Sequence, residues 1–532
     1  MSEYRVLIAD PINEEGLAPM RGDPRFEVIE RSGLKGEELA RALVGVDAVI
    51  VRSATRITRE SLAYADRLRV IGRAGVGVDN IDVDAATEKG VAVLNAPSGN
   101  TISAAELTMA LLLSLVRRVP AADRSMKAGE WDRKSFTGVE LYGKTLGLVG
   151  AGRIGGAVAR RARAFGMRVV AYDPFLSEER ARALEIELAS LEDVLRSADV
   201  VSLHVPLTEA TANLIDEAKL ALLKPGAYVV NAARGGVIDE AALVRAVRDG
   251  RIAGVALDVY ADEPLPADHP LRGLGAEAVL TPHLGAATQE AQQNVAIEIV
   301  EAVRAALVEQ DYSRAVNAPA IGGEAMRRLQ PLLELATRLG QLAAALAPGA
   351  VEAIEVRYAG GTEDALRPLT AAAVVGVLAG VVGRGAVNFV NALHLADTRG
   401  IDVRRTGTAP HGDYAEYIEV RLSGAGRETC VGGAMLAQGF PRIVRIDRFR
   451  VDVVPRGTLV VLRNRDVPGV IGRVGMLLGE AGINIGEYHQ ARLAAGGEAL
   501  AAISVDGRLD AELVEALRRI PEVTDVTQVG LD

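Results

Sequence analysis

The stretch Gly150-Ala-Gly152-Arg-Ile-Gly155 decides the fold of the central part of the chain. An apolar run ends at Val149, directly before the first glycine, and residues with helical spacing follow the third. In such a strand–turn–helix the first glycine permits a tight turn. The second lets the backbone approach a pyrophosphate, and the third lets the helix pack on the strand. The helix N-terminus adds N–H donors and the positive end of its dipole. The pattern therefore predicts a dinucleotide-binding βαβ unit.

The carboxylate of Asp173 indicates which dinucleotide this unit takes. It follows the next predicted strand, Arg168–Tyr172, and stands 21 residues after Gly152. A carboxylate at this place can accept hydrogen bonds from both ribose hydroxyls of an adenosine and would repel a 2′-phosphate. Because no arginine directly follows Asp173, the sequence favours NAD over NADP.

Short apolar runs alternate with helix-like segments on both sides of this unit. The alternation is typical of βαβ units and of parallel sheets covered on both faces. We expect two doubly wound α/β domains of the Rossmann or flavodoxin type. The predicted strands are Arg5–Ala9, Ala48–Arg52, Arg69–Ile71, Val91–Asn95, Arg168–Tyr172, Val200–His204, Tyr228–Asn231, Ile252–Leu257 and Ala278–Leu280.

Two long helices are also predicted. One starts near Asn100, where Ser103 and Glu106 have the spacing of a capping box ahead of the apolar stretch Leu107–Val116. The other is Gln289–Glu309.

Three chemically suited side chains lie near the ends of predicted strands, where ligands bind in a doubly wound sheet. Oxidation of a 2-hydroxy acid by hydride transfer needs a cation that holds the carboxylate and polarises the carbonyl, and Arg234 offers a fork of donors. It needs a group that exchanges a proton near neutral pH, which suits His283. A carboxylate that orients the imidazole suits Glu263. The three together predict a catalytic site.

Two arginines at strand ends of the first domain predict an anion-binding wall. The chain is acidic, with a formal net charge of -10, so an anionic substrate requires a local concentration of positive charge. Arg52 and Arg73 supply cations, and the backbone of Gly75–Gly77 supplies N–H donors.

The last 215 or so residues carry no catalytic motif. The segment 320–453 has helical periodicity first and strand-like alternation later, as in Glu416–Leu422 and Ile443–Val454. After a joint at Pro455, a strand, loop, helix and strand follow, with Asp466-Val-Pro-Gly before the helix and Gly-Ile-Asn484-Ile after it.

Composition excludes several classes of function. Aromatic residues make up only 4% and the net charge is negative, which disfavours a nucleic-acid-binding protein. The single cysteine, Cys430, rules out an internal disulfide and a thiolate metal cluster, and we expect no metal site. The longest apolar runs are too short to span a bilayer, and the N-terminal residues lack the layout of a signal peptide. We expect a cytoplasmic protein that does not bind membranes.

The motifs together resemble the D-isomer-specific 2-hydroxyacid dehydrogenases, over residues 4–316. Within that family the chain is most similar to the long members that act on 3-phospho-D-glycerate. The motifs that carry the resemblance are Val51-Arg-Ser-Ala-Thr55, Gly72-Arg-Ala-Gly-Val-Gly-Val-Asp-Asn80, Asn100-Thr-Ile-Ser-Ala-Ala-Glu106, Gly143–Gly155 and Asn231-Ala-Ala-Arg-Gly-Gly236.

The resemblance implies four domains, with the first interrupted by the second. A substrate-binding domain comprises residues 1–98 and 286–316, and an NAD-binding Rossmann domain comprises 99–285. An α+β intervening domain, 317–453, and a ferredoxin-like ACT domain, 454–532, follow. It also implies NAD-dependent oxidation of 3-phosphoglycerate to 3-phosphohydroxypyruvate, the first step of L-serine biosynthesis, with L-serine as a possible effector.

The resemblance further assigns residues to each ligand. It makes Arg234, Glu263 and His283 the catalytic set and assigns Asn464, Asp466 and Asn484 to the effector. It places Trp131 and Arg133 in a neighbouring subunit's cleft, so that we expect a homodimer or homotetramer. The residues implied for NAD are Val76, Gly150, Gly152, Arg153, Ile154, Gly155, Asp173, His204, Val205, Pro206, Ala232, Ala233, Arg234, Asp258, His283 and Gly285. Those implied for the substrate are Arg52, Ser53, Arg73, Gly75, Asn100 and Arg133.

Two alternatives stay open at this point. Another 2-hydroxyacid dehydrogenase, such as a glyoxylate or hydroxypyruvate reductase, would share the catalytic set but would normally lack the C-terminal domains. An NAD-sensing corepressor, which binds protein motifs instead of catalysing a reaction, would share the fold and the set as well.

Overall fold

The computed structural model of the chain describes residues 2–361, 363–383, 385–409, 414–424, 426–436 and 439–531. They form four sheets, and the predicted succession of two parallel sheets and two α+β units is confirmed. Among the described residues, no helix combines the length and apolar character needed to cross a membrane.

The first sheet has five parallel strands in the order β2-β1-β3-β4-β5, which is the flavodoxin-like order. We did not predict the strand β2, whose sequence Phe-Glu-Val-Ile-Glu has no regular alternation of charged and apolar residues. The strands are β1 (Tyr4–Ile8), β2 (Phe26–Glu30), β3 (Ala48–Val51), β4 (Val70–Arg73) and β5 (Ala92–Asn95), and the helices are α1 (Glu14–Arg21), α2 (Gly36–Ala42), α3 (Arg59–Ala63) and α4 (Val83–Glu88).

The second sheet has seven parallel strands in the order β12-β11-β10-β9-β6-β7-β8. The strand order reverses between β6 and β9, which is the switch point where a Rossmann sheet binds its cofactor. The strands are β6 (Thr145–Val149), β7 (Arg168–Tyr172), β8 (Glu187–Leu188), β9 (Val200–Leu203), β10 (Ala227–Asn231), β11 (Ile252–Leu257) and β12 (Ala278–Leu280). The helices are α5 (Thr101–Val116), α6 (Val119–Lys127), α7 (Arg153–Ala164), α8 (Glu178–Ala183), α9 (Leu191–Ser197), α10 (Glu217–Leu220) and α11 (Glu240–Arg248).

The capping box predicted for the first long helix does not form. The helix α5 begins at Thr101, so Ser103 lies inside its first turn. The hydroxyl of Ser103 is buried and has no hydrogen-bond partner among the described residues. Ser103 and Glu106 have the spacing of a capping box, but the helix begins two residues before Ser103, so that Ser103 is not its N-cap.

The chain returns to the first sheet through α12 (Gln289–Glu309), as predicted for this helix. Val295, Ile299 and Val303 of α12 join the core on one face of the first sheet. Helix α12 thus links the loop that follows β12 directly to the first sheet.

The third sheet is mixed and has the order β14-β13-β15-β16-β17-β18, with α13 and α14 packed on one face. The predicted strand region Ile443–Val454 is two strands, because the chain turns at Asp447 with a φ of 48°. The elements are α13 (Gly323–Leu346), β13 (Ala353–Ala359), α14 (Leu366–Val382), α15 (Ala392–Asp397), β14 (Asp402–Thr408), β15 (Glu416–Gly424), β16 (Arg427–Leu436), β17 (Phe440–Ile446) and β18 (Phe449–Val453).

The fourth sheet is antiparallel, with the order β20-β21-β19-β22 and the ferredoxin-like succession βαββαβ. One face is covered by its own two helices. The other contributes Leu459, Val461 and Leu500 to the core of the third sheet, so the two units share one core. The elements are β19 (Thr458–Arg465), α16 (Val470–Glu480), β20 (Ile485–Arg492), β21 (Glu498–Val505), α17 (Ala511–Arg518) and β22 (Val523–Gly530).

Candidate active site

The carboxyl ends of the first and second sheets border a common cleft. A cavity of about 640 Å³ lies in it, which is within the usual range for small-molecule and cofactor sites. Most residues that the sequence assigned to cofactor and substrate line this cavity: Arg52, Ser53, Arg73, Gly75, Val76, Asn100, Arg153, Ile154, His204, Val205, Pro206, Ala232, Ala233, Arg234, Glu263, His283 and Gly285.

The glycine-rich turn between β6 and α7 leaves room for a ligand. Gly150 has a φ of +92°, and a Cβ atom there would lie 2.7 Å from the carbonyl oxygen of His204. A Cβ at Gly155 would lie 2.3 Å from the carbonyl oxygen of Gly150. A Cβ at Gly152 would meet nothing within 4 Å, so the fold itself does not require a glycine there. The open space at the N-terminus of α7 fits the phosphates of a dinucleotide.

Asp173 follows β7, as predicted, and braces the glycine-rich turn. Its Oδ2 accepts the N–H of Ala151 at 2.8 Å, and its Oδ1 accepts the N–H of Phe175 at 2.9 Å. A carboxylate oxygen can accept two hydrogen bonds. Asp173 can therefore hold the turn and still accept hydrogen bonds from a ribose.

His204 borders the cofactor side of the cleft as an uncharged group. It follows β9, and its Nε2 lies 2.9 Å from the hydroxyl of Ser202. Burial lowers the pKa of His204 to about 4. The imidazole is therefore neutral at neutral pH, and it lines the cavity without adding a charge.

Arg234 stands on a loop that Asn231 shapes. The Oδ1 of Asn231 accepts the N–H of Ala233 at 3.0 Å, and its Nδ2 donates to the carbonyl of Arg234 at 2.8 Å. The guanidinium of Arg234 donates to the carbonyl of Ala233 at 2.6 Å, and its Nε lies 3.5 Å from Oδ2 of Asp79. The loop thus holds the guanidinium of Arg234 in the cleft, beside the carboxylate of Asp79, which follows β4 of the first sheet.

His283 and Glu263 form a hydrogen-bonded pair at the cleft. The Nδ1 of His283 lies 2.7 Å from Oε2 of Glu263, whose other oxygen accepts the N–H of Tyr260 at 3.1 Å. The backbone of His283 is left-handed, with a φ of 57°, and its N–H donates to the carbonyl of Asp258 at 2.9 Å. Because Glu263 occupies Nδ1, the Nε2 atom is the nitrogen left for a ligand.

Asp258 was expected to bind the cofactor, but the structure does not place it on the cavity wall. It is completely buried. Its Oδ1 accepts the hydroxyl of Thr281 at 2.6 Å and the N–H of Leu284 at 2.7 Å, and its Oδ2 accepts the N–H of Gly285 at 2.9 Å. In this conformation Asp258 therefore braces the loop that carries His283.

Arg73 is a partly buried cation, and its side chain has a hydrogen-bond donor that is not used within the described chain. Its Nε is buried and has no hydrogen-bond partner among the residues that the structure describes. Burial, with a smaller contribution from Arg234 and Arg52, lowers the pKa of Arg73 to about 10, so the group is still protonated at neutral pH. A Cβ at Gly75 would collide with this guanidinium, at 1.4 Å. Three guanidinium groups at one cleft favour an anionic ligand.

Several cavity residues were not predicted from the sequence. Asp79 lies within the motif Gly72–Asn80, but only the structure shows it beside Arg234. Gln292, on the first turn of α12, carries no sequence signal, because an amide on a helix surface is common. The unpredicted lining residues are Ala74, Asp79, Pro97, Ala104, Pro282, Ala286, Ala287 and Gln292.

No cluster of three or more histidine, cysteine or carboxylate side chains with the geometry of a metal site occurs among the residues described.

Family models match three segments of the chain. The NAD-binding domain of the D-isomer-specific 2-hydroxyacid dehydrogenases matches residues 109–285. The intervening domain of D-3-phosphoglycerate dehydrogenase matches 328–447, and the ACT domain matches 458–522.

Curated relatives match almost the whole length. D-3-phosphoglycerate dehydrogenase of Synechocystis is 40% identical over 529 residues, covering 99% of this chain and 95% of the relative. The enzyme of that name from Bacillus subtilis is 40% identical over 534 residues, covering 99% and 100%.

The chain belongs to the D-3-phosphoglycerate dehydrogenase family.

Solved structures of the wider family cover the catalytic part. The TT0316 protein from Thermus thermophilus is 40% identical, with a TM-score of 0.54, and covers 59% of this chain and 99% of that chain. D-Lactate dehydrogenase from Aquifex aeolicus, complexed with NAD and lactic acid, is 30% identical, with a TM-score of 0.52, and covers 58% and 98%. The domain that carries the glycine-rich turn is thus the family's NAD-binding domain.

The residues proposed for the family's effector do not meet within one chain. Asn464 and Asp466 lie at or just after the carboxyl end of β19, whereas Asn484 precedes β20. The strand register pairs Arg465 with Glu498 and Ile485 with Val505, at opposite ends of β21. At about 3.3 Å per residue, the two groups are roughly 20 Å apart along the sheet.

Each of these effector residues is also engaged inside the chain. Asn464 is buried, and its amide donates to the carbonyl of Arg465 at 2.7 Å. Asp466 pairs with Arg492 at 3.1 Å. Asn484 donates to Asp506 at 2.8 Å. A complete site therefore requires a contribution from a second chain or a rearrangement.

Arg133 does not line the cleft of its own chain. It is exposed on the segment that follows α6, close to Trp131, which is 79% exposed. None of the residues of α6 is buried. This segment projects apolar side chains that the described part of the chain does not cover.

Proposed function

We propose that the protein catalyses the NAD-dependent oxidation of 3-phospho-D-glycerate to 3-phosphohydroxypyruvate, the first step of L-serine biosynthesis. The observation that carries the proposal is the pair His283–Glu263 at the edge of a cleft that also holds Arg52, Arg73 and Arg234. The pair suits a hydroxyl group, and the arginines suit an acid with a carboxylate and a phosphate.

His283 acts as the general base. With its Nδ1–H donated to Glu263, the imidazole presents the Nε2 lone pair to the C2 hydroxyl of the substrate. As the proton moves to Nε2, the Glu263 carboxylate stabilises the imidazolium that forms. NAD bound at the second sheet would supply the acceptor for the hydride that leaves C2, and the hydroxyl proton stays on His283, which leaves the 2-keto acid.

Arg234 binds the substrate carboxylate and polarises the developing carbonyl. Its guanidinium presents planar donors that match a carboxylate. Its neighbour Asp79 is 70% exposed, so a substrate carboxylate can replace or share this ion pair without leaving a buried charge unpaired.

The wall formed by the first sheet binds the phosphate. We assign Arg52, Ser53, Arg73 and Gly75 to this role, and Asn100 to another part of the substrate. The unpaired Nε–H of Arg73 is a donor without a partner among the described residues, which supports contact with an anion. The buried Oδ1 of Asn100 is an unpaired acceptor, which suits a hydroxyl group of the ligand instead of a phosphate oxygen.

NAD would be held along the carboxyl edge of the second sheet, where Asp173 would bind the ribose and His283 stands on the substrate side. The residues that we assign to NAD at the cavity or the turn beside it are Val76, Gly150, Gly152, Arg153, Ile154, Gly155, Asp173, His204, Val205, Pro206, Ala232, Ala233, Arg234, His283 and Gly285. Asp258 can take part only if the loop that it braces moves.

We also propose the four-domain division expected from the sequence, with residues 1–98 and 286–316 binding the substrate and 99–285 binding NAD. Residues 317–453 and 454–532 form the intervening and ACT domains. The packing of α12 on the first sheet supports the interrupted first domain.

The active unit is a homo-oligomer of at least two chains. A second cavity, of about 500 Å³, lies beside the catalytic pair, lined in part by Tyr260, Leu265 and Pro282. Trp131, exposed on its own chain, is suited to fill the same cavity of a partner, which would bring Arg133 to the partner's cleft.

L-Serine is the proposed effector of the ACT domain. Because Asp466 and Asn484 lie at opposite ends of one sheet, two ACT domains side by side would be needed to complete a site. The single cysteine, Cys430, agrees with a reducing compartment such as the cytoplasm.

The test is a substrate panel with purified protein and NAD. NADH formation is measured with 3-phospho-D-glycerate, D-glycerate, D-lactate and glycolate, with and without L-serine. We expect a kcat/KM for the phosphorylated acid at least about a hundredfold above the values for the others. The acids without a phosphate leave cleft arginines without a partner, which weakens their binding. Equal activity on an unphosphorylated acid, or no activity at all, would overturn the proposal.

A further inference from the structure

The loop Arg52–Thr55 connects β3 to the segment before α3 and borders the substrate side of the cleft. Arg52 and Ser53 line the cavity, and Ser53 and Ala54 are exposed. A loop that must present a guanidinium, a hydroxyl and backbone N–H groups to one anion needs a fixed backbone, because an ordered loop loses less entropy on binding.

A buried carboxylate holds this loop from one side. Asp10, which follows β1, is 2% exposed. Its Oδ2 accepts the N–H of Arg52 at 2.6 Å and the N–H of Thr55 at 3.2 Å, and its Oδ1 accepts the hydroxyl of Thr55 at 2.7 Å. Such charge-assisted hydrogen bonds are about twice as strong as neutral ones.

An amide holds the same loop from the other side. The Nδ2 of Asn80 donates to the carbonyl of Arg52 at 2.7 Å and to the carbonyl of Thr55 at 2.6 Å. Asp10 thus accepts from the N–H groups at both ends of the loop, while Asn80 donates to the carbonyls of the same two residues. The two exposed residues between them are left for a ligand.

The charge of Asp10 shows that its contribution is indirect. A negative charge near an anion site weakens the attraction for the anion, and Asp10 is close enough to Arg73 to interact with it electrostatically. Asp10 does not line the cavity. It can therefore favour anion binding only through the geometry of the loop.

We propose that Asp10, together with Asn80, is a positioning residue for recognition of the substrate's phosphate, which it controls by fixing the loop Arg52–Thr55. This inference rests on the proposed function, since the phosphate is that of the proposed substrate. Asp10 thus contributes to the preference for phosphorylated over unphosphorylated acids. It does not contribute to the rate of hydride transfer.

The test compares Asp10→Asn with a matched control. Asp47 is also a buried aspartate (4% exposed); it stands at the opposite end of β3, where it accepts the N–H of Arg5 at 2.9 Å and pairs with Arg67 at 3.0 Å, away from the cavity. Asp47→Asn measures how far the loss of a buried carboxylate in this sheet changes the kinetic constants when the loop Arg52–Thr55 is not affected. Asn80→Ala tests the other side of the loop and serves if Asp10→Asn does not fold.

The readout is steady-state reduction of 3-phosphohydroxypyruvate and of hydroxypyruvate by NADH. For Asp10→Asn we expect the KM for 3-phosphohydroxypyruvate to rise about tenfold, the cost of weakening one or two charge-assisted hydrogen bonds. We expect kcat, the KM for NADH and kcat/KM for hydroxypyruvate to stay within about twofold. Asp47→Asn should leave all KM values unchanged.

Three results are decisive. A KM for the phosphorylated acid that is unchanged in both Asp10→Asn and Asn80→Ala overturns the inference. An equal loss of kcat/KM for both acids also overturns it, because that is the signature of a merely structural role. If the wild-type protein reduces neither acid, the proposed function fails first, which separates the two failures.

Discussion

The Nδ1 atom of His283 lies 2.7 Å from Oε2 of Glu263, although 20 residues separate them in the chain. Two neighbouring parallel strands, β11 and β12, deliver them to the same edge of the second sheet. Asp258 braces the His283 loop, and the N–H of Tyr260 binds the other oxygen of Glu263. The pair is thus held by the backbone of both loops.

Replacing His283 by Ala should remove the general base but leave NADH bound almost as tightly, because most of the residues that we assign to the cofactor remain. We expect kcat to fall about 10²–10⁴-fold, with the dissociation constant for NADH, measured by fluorescence titration, within about threefold of wild type. The matched control is His269→Ala. His269 also pairs with a glutamate, Glu240, at 3.4 Å, but outside the cavity. Turnover near the wild-type rate in His283→Ala would contradict the assignment.

Replacing Asp173 by Ser should weaken the preference for NAD over NADP. The carboxylate would no longer bind the ribose hydroxyls or repel a 2′-phosphate. We expect the ratio of kcat/KM for NAD to that for NADP to fall at least about tenfold. The exposed Asp193 on α9 provides the control, as Asp193→Ser. An unchanged ratio in Asp173→Ser would show that the ribose is recognised elsewhere.

The partly buried His204 should make the stability of the fold depend on pH on the acid side of neutrality. Its pKa is lowered by burial to about 4, below the unfolded-state value, so the unfolded chain binds more protons between pH 4 and about 6.5. Stability contributed by the neutral imidazole is therefore present above about pH 6.5 and is lost as the pH falls towards 4.

The measurement for His204 is urea unfolding of wild type and of His204→Gln between pH 7.5 and 4.5, the range in which this histidine titrates. Between pH 7.5 and 4.5 the free energy of unfolding of wild type should fall by up to about 3 kcal/mol more than that of the variant. Parallel pH dependences of the two proteins would refute the role given to burial of His204.

Replacing Trp131 by Ala should weaken the oligomer. An exposed aromatic side chain that fills a partner's cavity is a typical interface hot spot, worth about 2 kcal/mol or more, so the dissociation constant should rise at least about thirtyfold. Sedimentation velocity over a dilution series measures it. Tyr64→Ala removes a comparably exposed aromatic (58%) from the first sheet's surface and should have no effect. Equal dissociation constants for the two variants would place the interface elsewhere.

The features that the sequence predicted well depend on local chemistry. The glycine-rich turn, Asp173 and the strand-end residues Arg234, Glu263 and His283 each follow from the strand that precedes them. Because parallel strands end at one edge, their assembly into one cleft follows from the fold class alone.

The features that it missed depend on distant parts of the chain. Asp79 meets Arg234 only because two sheets face each other, and Gln292 reaches the cleft only through the course of α12. Asp258 was expected at the cofactor, but Thr281 and the N–H groups of the following loop take its oxygens. These contacts join residues that are far apart in the chain, so the local sequence pattern does not predict them.

Following the hydride itself tests the proposed reaction directly. The protein is incubated with NAD and 3-phospho-D-glycerate carrying deuterium at C2, and the NADH and the acid are analysed by mass spectrometry and NMR. We expect one deuterium at C4 of the nicotinamide for each 3-phosphohydroxypyruvate formed. NADH without deuterium would show that the hydride does not come from C2. Absence of 3-phosphohydroxypyruvate would show that the protein does not catalyse the proposed oxidation.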